Sequence, residues 1–316
     1  MVKLFIDGMP IEANDGITIL EAAKLAKVNI PTLCYLKEIN EIGACRICVV
    51  EVEGRDRLVA ACNTPIEEGM QVHTNNEKIR LARKTNLELI LSEHDCHCPT
   101  CVRSGNCKLQ TLAQEMNILD IPFEQKTAKN KWKASDILLR KDSKCIKCLR
   151  CVSVCDKMQG LGVWELRGNG AHANVVVRGG ANLSNICSLC GQCVTHCPVG
   201  ALYARDDTEK VFAAINNPEK IVVVQVAPAV RTAWFEGLGI APEAATEKRM
   251  AAAMRALGAD YVFDTNFSAD LTIMEEGNEF TEKITSHDAH ALPMFTSCCP
   301  GWVRFVKMEY PELVPN

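Results

Sequence analysis

The stretch Cys145-Ile146-Lys147-Cys148-Leu149-Arg150-Cys151-Val152-Ser153-Val154-Cys155 and its repeat Cys187-Ser188-Leu189-Cys190-Gly191-Gln192-Cys193-Val194-Thr195-His196-Cys197-Pro198 decide how this chain is read. Each is a C-x2-C-x2-C-x3-C run, in which three thiolates hold one 4Fe-4S cluster and the fourth reaches across to a second cluster. By that rule Cys197 joins Cys145, Cys148 and Cys151, while Cys155 joins Cys187, Cys190 and Cys193. Two zinc sites would need neither the fourth cysteine at x3 nor the exchange. The first run has Asp156 where proline is usual, a change that touches the local turn more than ligation. Between the runs, Gly162 to Gly180 with Val175-Val176-Val177 reads as a hairpin insert.

Working outward, sixteen of the 18 cysteines fall into four groups before residue 198, and the last two are adjacent at Cys298 and Cys299. A chain of 316 residues buries a core without disulfide staples, so this cysteine load argues for metal and for thiols kept reduced. The start, Met1-Val2-Lys3-Leu4-Phe5-Ile6-Asp7-Gly8, has an acid and a turn where a signal peptide needs an apolar core. The longest apolar run, Ile221 to Val230, contains Gln225 and Pro228 and is too short to span a bilayer. A cytoplasmic protein off the membrane is the expectation. A net charge of −4 gives no footprint for nucleic acid.

The opening residues alternate apolar and polar around the hairpin pair Asp7-Gly8, and Thr18-Ile19-Leu20-Glu21 is a capping box for a helix that ends before Pro31. From this small strand-and-helix domain hang Cys34, Cys45, Cys48 and Cys62, spaced C-x10-C-x2-C-x13-C, four thiolates that suit a 2Fe-2S cluster. Zinc could use the same residues; the cluster motifs downstream favour iron. Thr74-Asn75-Asn76-Glu77 reads as a second capping box, for a helix whose apolar stripe is Ile79, Ala82, Leu87, Ile90 and Leu91 and which delivers His94. Next come Cys96, His97, Cys98, Cys101 and Cys107.

These two regions together resemble the opening of the large iron-sulfur subunit of NADH dehydrogenases and of many FeFe-hydrogenases. The resemblance implies a β-grasp 2Fe-2S domain over residues 1–77 and a helical 4Fe-4S domain over 78–121 with ligands His94, Cys98, Cys101 and Cys107. Spacing alone leaves Cys96 and His97 as alternative ligands. One imidazole in place of a thiolate removes negative charge and raises a cluster's potential. Residues 122–144, rich in lysine, read as a linker, either a solvated face or a docking strip for an acidic electron carrier. A two-cluster ferredoxin domain over 145–204 follows.

From residue 205 the pattern turns to alternating strand and helix: a buried strand over 221–226, a helix over 245–257 stopped by Gly258, a strand over 261–263, a helix through Glu282 and a strand over 292–295. That is an α/β parallel open sheet, which binds ligands beyond its strands' carboxyl ends. Those ends are Ala227-Pro228-Ala229-Val230-Arg231 and Thr296-Ser297-Cys298-Cys299-Pro300. Pro300 at a helix start sets both thiols near a helix amino end, where the dipole favours thiolate.

With Gly301-Trp302 completing TSCCPGW, the chain resembles the FeFe-hydrogenases over essentially its whole length, and residues 205–316 resemble the first part of their H-cluster domain. That cofactor joins a 4Fe-4S cube to a two-iron centre. The resemblance implies Cys299 as a cube ligand and Cys298 as the thiol that passes protons. It implies Glu276 and Glu279 as acids of the proton path, Lys283 where a basic residue is usual, and Pro228 and Ala229 as packing around the two-iron centre. The family takes three more cube ligands from two later motifs, and no cysteine follows Cys299 here. The expectation is therefore a four-cluster relay plus part of an active-site domain, incomplete for turnover. The implied activity is interconversion of protons and electrons with hydrogen, in an α+β and α/β multidomain chain carrying one 2Fe-2S and three 4Fe-4S clusters. Its partners would be ferredoxin and a flavin- and NADH-handling iron-sulfur subunit in a heteromeric complex, of the electron-bifurcating type or simpler. The alternative is a non-catalytic electron-wiring subunit of an NADH or formate dehydrogenase, which has no need of adjacent cysteines at a strand end.

Overall fold

Asp7 and Gly8 turn the chain between β1 (Val2–Ile6) and β2 (Met9–Ala13), which pair antiparallel with Ile6 opposite Met9. Both turn residues take positive φ, 49° and 78°, as a two-residue hairpin turn with matching twist requires. Thr18 and Glu21 close a reciprocal cap on α1 (Ile19–Leu25): Thr18 Oγ1 accepts from the Glu21 N–H at 3.3 Å, and Glu21 Oε2 accepts from the Thr18 N–H at 3.1 Å. The computed structural model describes residues 1–127, 137–286 and 292–316. In it the hairpin grows into a five-stranded sheet with β3 (Val49–Val52), β4 (Val59–Ala60) and β5 (Gln71–His73), in the order β2-β1-β5-β3-β4. β1 and β5 are parallel and the other neighbours antiparallel. Ile19, Leu20, Ala22 and Ala23 of α1 pack with Leu4, Ile6, Val50 and Val72 into one core.

The helix α2 (Glu77–Ser92) corrects the expected second capping box. Asn76, not Thr74, is its cap, accepting from the Ile79 N–H at 2.9 Å. Thr74 is drawn away by a partner distant in sequence: its hydroxyl donates to Asp7 Oδ2 at 2.5 Å. Ile79, Leu87 and Leu91 are buried, with Ala82 and Ile90 half-buried beside them. The buried stripe also takes in Arg83, whose guanidinium donates to Val49 O at 2.8 Å.

After α3 (Lys108–Glu115) come β6 (Leu138–Arg140), α4 (Arg150–Lys157), the hairpin β7 (Trp164–Arg167) and β8 (Asn174–Val177), the short helices α5 (Leu183–Ile186) and α6 (Gln192–Thr195), and β9 (Leu202–Ala204). β7 and β8 pair antiparallel inside the stretch expected as a hairpin insert. The expected linker over 122–144 lies partly outside the described residues, at 128–136. Its end is no solvated strip: β6 pairs antiparallel with β9, and Arg140 and Lys144 are buried. The partner strand is far along the chain, so no local signal marks the pairing. A second core gathers Leu33, Leu87, Leu109, Trp164 and Val199 around Cys34, Cys45 and the cysteines of both runs except the exposed Cys190.

The chain divides into two units, residues 1–205 and 206–316. The second contains α7 (Thr208–Ile215), β10 (Val223–Val226), α8 (Pro228–Ala233), α9 (Glu247–Ala256), β11 (Tyr261–Asp264), α10 (Thr265–Thr285) and α11 (Pro300–Glu309). β10 and β11 are parallel, Val223 opposite Tyr261. Two expectations fail here. β10 is not a buried strand, since Val226 alone of its residues is buried: among the described residues its only strand neighbour is β11, so most of its side chains stay accessible. The segment 292–295 forms no strand, and the Phe295 N–H donates to Asn316 O at 2.8 Å instead of to a ladder. Among the described residues no helix is long and apolar enough to cross a membrane.

Candidate metal centres

Cys34, Cys45, Cys48 and Cys62 are all buried, and they lie along the seam of the two cores, Cys34 and Cys45 in one and Cys48 and Cys62 in the other. The wrapping loop passes through Gly43 at φ 62°, where a Cβ would stand 2.9 Å from Asn63 Nδ2. The thiols meet as two hydrogen-bonded pairs. In each pair one partner is acidified and the other holds its proton. The bond from Cys34, against burial, brings Cys45 down to about 6, and the bond from Cys62 lowers Cys48. Cys34 and Cys62 are pushed up, first by those same bonds and then by burial. Thiols that acidify one another at close quarters are disposed to ligate as thiolates.

The second site begins one residue beyond the cap of α2. His94 is 6% exposed, and its Nδ1 is buried with no hydrogen-bond partner among the described residues. Burial, aided by the charge of Lys144, pushes the His94 pKa down to about 4. The ring is therefore neutral near pH 7 and keeps a lone pair for a metal. A cavity of about 460 Å³ is lined by His94, Cys96, Cys98 and Cys107 together with Leu91 and Leu109. Cys101 does not line it; its Sγ lies against Gly200, where a Cβ would come within 2.7 Å. His97 turns away, 86% exposed and paired through Nδ1 with Asp95. Cys96 thus remains close to the site, and His97 does not.

The two ferredoxin-type runs fold with one internal symmetry. Lys147 and Leu149 in the first run and Leu189 and Gly191 in the second, at equivalent positions, all take positive φ between 55° and 78°. Left-handed backbone at non-glycine residues costs about 1–3 kcal/mol each, and here it curls each loop around its thiols. One cavity is lined by Cys145, Cys148, Cys151 and Cys197. Another is lined by Cys155, Cys187, Cys190 and Cys193. Trp164, 1% exposed, lines both and stands between them. Burial pushes Cys148 and Cys193 up to about 12 and raises Cys145, Cys151 and Cys155 as well. Iron bound there would supply the positive charge that desolvated thiolates lack. Among the described residues no group of three or more His, Cys, Asp or Glu is arranged to hold a single metal ion; the thiols instead ring volumes, as ligands do when each binds a different iron of one cluster.

Hydrogen bonds tie these sites to one another. Asn40, fully buried, donates from Nδ2 to Cys34 O at 2.8 Å and to Cys148 O at 3.0 Å, and its Oδ1 accepts from Ser153 at 2.7 Å. Arg150 donates to Cys34 O and Tyr35 O at 3.1 and 2.8 Å. Arg103 donates to Cys197 O at 3.2 Å, and Cys107 Sγ stands 3.9 Å from Pro198 O. No motif marks Asn40, Arg103 or Arg150; only packing reveals them.

In the second unit Cys298 and Cys299 are exposed, and Cys299 is the cap residue of α11 with Pro300 as its first residue. Glu276 and Glu279 lie on α10. Thr296 Oγ1 donates to Glu276 Oε1 at 2.6 Å, which ties that acid to the paired-cysteine loop, while Glu279 pairs with Lys283 at 2.9 Å. Pro228 and Ala229 open α8, and Pro228 lines a cavity with Arg231, which is held by Glu247 and by Asp264 at 3.1 Å.

Thiol-ringed cavities stitched together through ligand-loop carbonyls define a multi-cluster iron-sulfur protein. Matches to known families agree: a 2Fe-2S iron-sulfur cluster binding domain over residues 1–77, the NADH-ubiquinone oxidoreductase-G iron-sulfur binding region over 83–122 and the ferredoxin-like domain of NADH-quinone oxidoreductase subunit 3 over 135–203. Residues 220–316 match the C-terminal domain of the iron only hydrogenase large subunit. The chain thus carries an iron-only hydrogenase large-subunit domain behind three iron-sulfur domains. It is 44% identical over 325 residues to the NADP-reducing hydrogenase subunit HndD of Solidesulfovibrio fructosivorans, covering 99% of this chain and 56% of that protein. To iron hydrogenase 1 of Clostridium pasteurianum it is 36% identical, covering 100% of this chain and 55% of the relative. It thus spans about half the length of these curated relatives. A chain of an NAD+-reducing [NiFe]-hydrogenase matches 65% of this one, with 87% of its own length covered, a TM-score of 0.60 and 31% identity.

Proposed function

We propose that this chain is the electron-relay portion, with the opening part of the active-site domain, of an FeFe-hydrogenase subunit that interconverts protons and electrons with hydrogen. The observation that carries the relay is the division of the two runs, three cysteines of one with the fourth of the other around each cavity. In this reading Cys34, Cys45, Cys48 and Cys62 hold a 2Fe-2S cluster, and His94, Cys98, Cys101 and Cys107 hold a 4Fe-4S cluster. Cys145, Cys148, Cys151 and Cys197 hold the next, and Cys155, Cys187, Cys190 and Cys193 the last. When bound, the clusters supply one-electron carriers whose potentials, near about −400 mV for low-potential types, can match the proton/hydrogen couple. The chain's own work is to bury those carriers, exclude water with Trp164 and Leu109, and keep neighbouring ligand loops joined through Asn40 and Arg103. Cys299 is the single H-cluster ligand present, and the exposed Cys298 is the thiol that carries a proton toward that centre. Glu276, steadied by Thr296, and Glu279 carry protons from solvent. Pro228 and Ala229 pack beside the two-iron centre.

We place the domain limits at 77, 121, 144 and 204. The names of the relatives, subunits of NADP- and NADPH-linked enzymes, support a nicotinamide-linked heteromeric assembly. In this reading a flavin-handling subunit or ferredoxin exchanges electrons with this chain. So many reduced thiols fit a cytoplasmic location. The infrared spectrum of the matured full-length protein tests the catalytic reading. Carbon monoxide and cyanide bands are expected, and their absence with iron present would leave an electron-wiring subunit.

A further inference from the structure

Lys144 is 2% exposed, and a lysine is almost never buried so fully unless it is paired. It ends the 3-10 turn Asp142–Lys144 immediately before Cys145, yet its ammonium points into the loop after His94. Nζ donates to Asp95 O at 2.8 Å and lies 3.5 Å from both His97 O and Asp95 Oδ2. The Asp95 N–H in turn donates to Ser143 O at 2.7 Å, so the two loops are stitched in both directions. The carboxylate does not cancel the ammonium's field at the site. Asp95 is 26% exposed and shared with the solvent-facing His97, whereas the Lys144 side chain is 3% exposed. Water therefore screens the acid and leaves the ammonium's field largely unscreened.

We propose that the buried ammonium of Lys144 sets the redox poise of the cluster held by His94, a positioning role exerted through charge and through the loop it pins. This rests on the reading of that site as a 4Fe-4S centre. Reduction adds one electron to a thiolate-ligated cluster and makes or breaks no bond, so a fixed cation nearby favours the reduced form and raises the potential.

The test is an EPR-monitored redox titration, with dithionite as the electron donor, of the anaerobically assembled chain. The His94 cluster is identified as the 4Fe-4S signal that His94→Ala removes. Lys144→Met is expected to shift its oxidised-to-reduced ratio at fixed potential at least tenfold toward oxidised, a drop of about 59 mV in midpoint. Lys144→Arg should restore most of that shift. Asp95→Asn should move the midpoint the opposite way, and the 2Fe-2S midpoint should stay where it is. An unchanged midpoint in Lys144→Met with the signal intact overturns the proposal. Should that variant not assemble its cluster, an unchanged or lowered midpoint in Asp95→Asn overturns it instead. A parent protein with no His94-dependent signal would overturn the cluster reading itself, and the proposal with it.

Discussion

Residues 1–205 and 206–316 use their apolar residues in opposite ways. The first unit buries two cores, with side chains such as Leu4, Ile47, Leu87 and Trp164 serving as fully enclosed or nearly enclosed anchors for the ligand loops about them. In the second unit Val226, Met250 and Ala259 are the only buried hydrophobic residues among those described. Phe267, Ile273 and Met274 on α10 are 77%, 68% and 67% exposed. The two differ as well in how their chemistry is held. Most relay cysteines are buried or half-buried in packing that this chain supplies, Cys190 being the exposed exception among the proposed ligands, whereas Cys298 and Cys299 sit on an exposed loop steadied by short-range bonds such as that from the Cys299 N–H to Ser297 Oγ at 3.0 Å. A ligand set embedded in a core is preorganised by the fold; one on an uncovered helix end has only local geometry to rely on.

That contrast is open to direct attack. The largest expected effect is on metal content: Cys151→Ser should remove about four of about fourteen iron atoms and loosen the core around Trp164, while Cys298→Ser should leave the iron of the relay unchanged, both by iron and sulfide analysis. Loss of relay iron from the second variant would break the comparison. Native-state hydrogen exchange should find the amides of β1, β3 and β5 protected for far longer than those of α10, because opening α10 exposes little that is not already wet. Equal protection would mean that the second unit has a stability its packing does not account for. In denaturant titrations Leu87→Ala should cost about 2–5 kcal/mol, whereas Phe267→Ala should stay within about 0.5 kcal/mol. Smallest, Thr18→Ala removes one half of the α1 cap and should cost about 1 kcal/mol, read from the unfolding midpoint with the slope unchanged.

Local chemistry was legible in the sequence and long-range chemistry was not. Asp7-Gly8, the cap at Thr18 and Glu21, and the hairpin between Gly162 and Gly180 depend on residues a few positions apart, and all three form as their spacing predicts. The Thr74 cap failed because Asp7, far away in the chain, competes for its hydroxyl. The linker over 122–144 hid β6 because its partner β9 lies beyond both cysteine runs, and it hid Lys144 because a lysine reads as surface until its partners are seen. In the second unit an apolar run such as 221–226 predicts burial only if something covers it, and the pattern of one strand cannot say what does. Among candidate site residues the cysteine spacing carries the most information, since ligand geometry dictates it; Asn40, which joins Cys34 to Cys148, has no signature at all.

The most direct test of the relay is the metal content of anaerobically prepared protein, measured together with acid-labile sulfide and zinc. About fourteen iron atoms per chain with matching sulfide and negligible zinc is the expected result, the sum of one 2Fe-2S and three 4Fe-4S centres. Zinc in the thiol sites, or iron far below that count with every cysteine reduced, would contradict it.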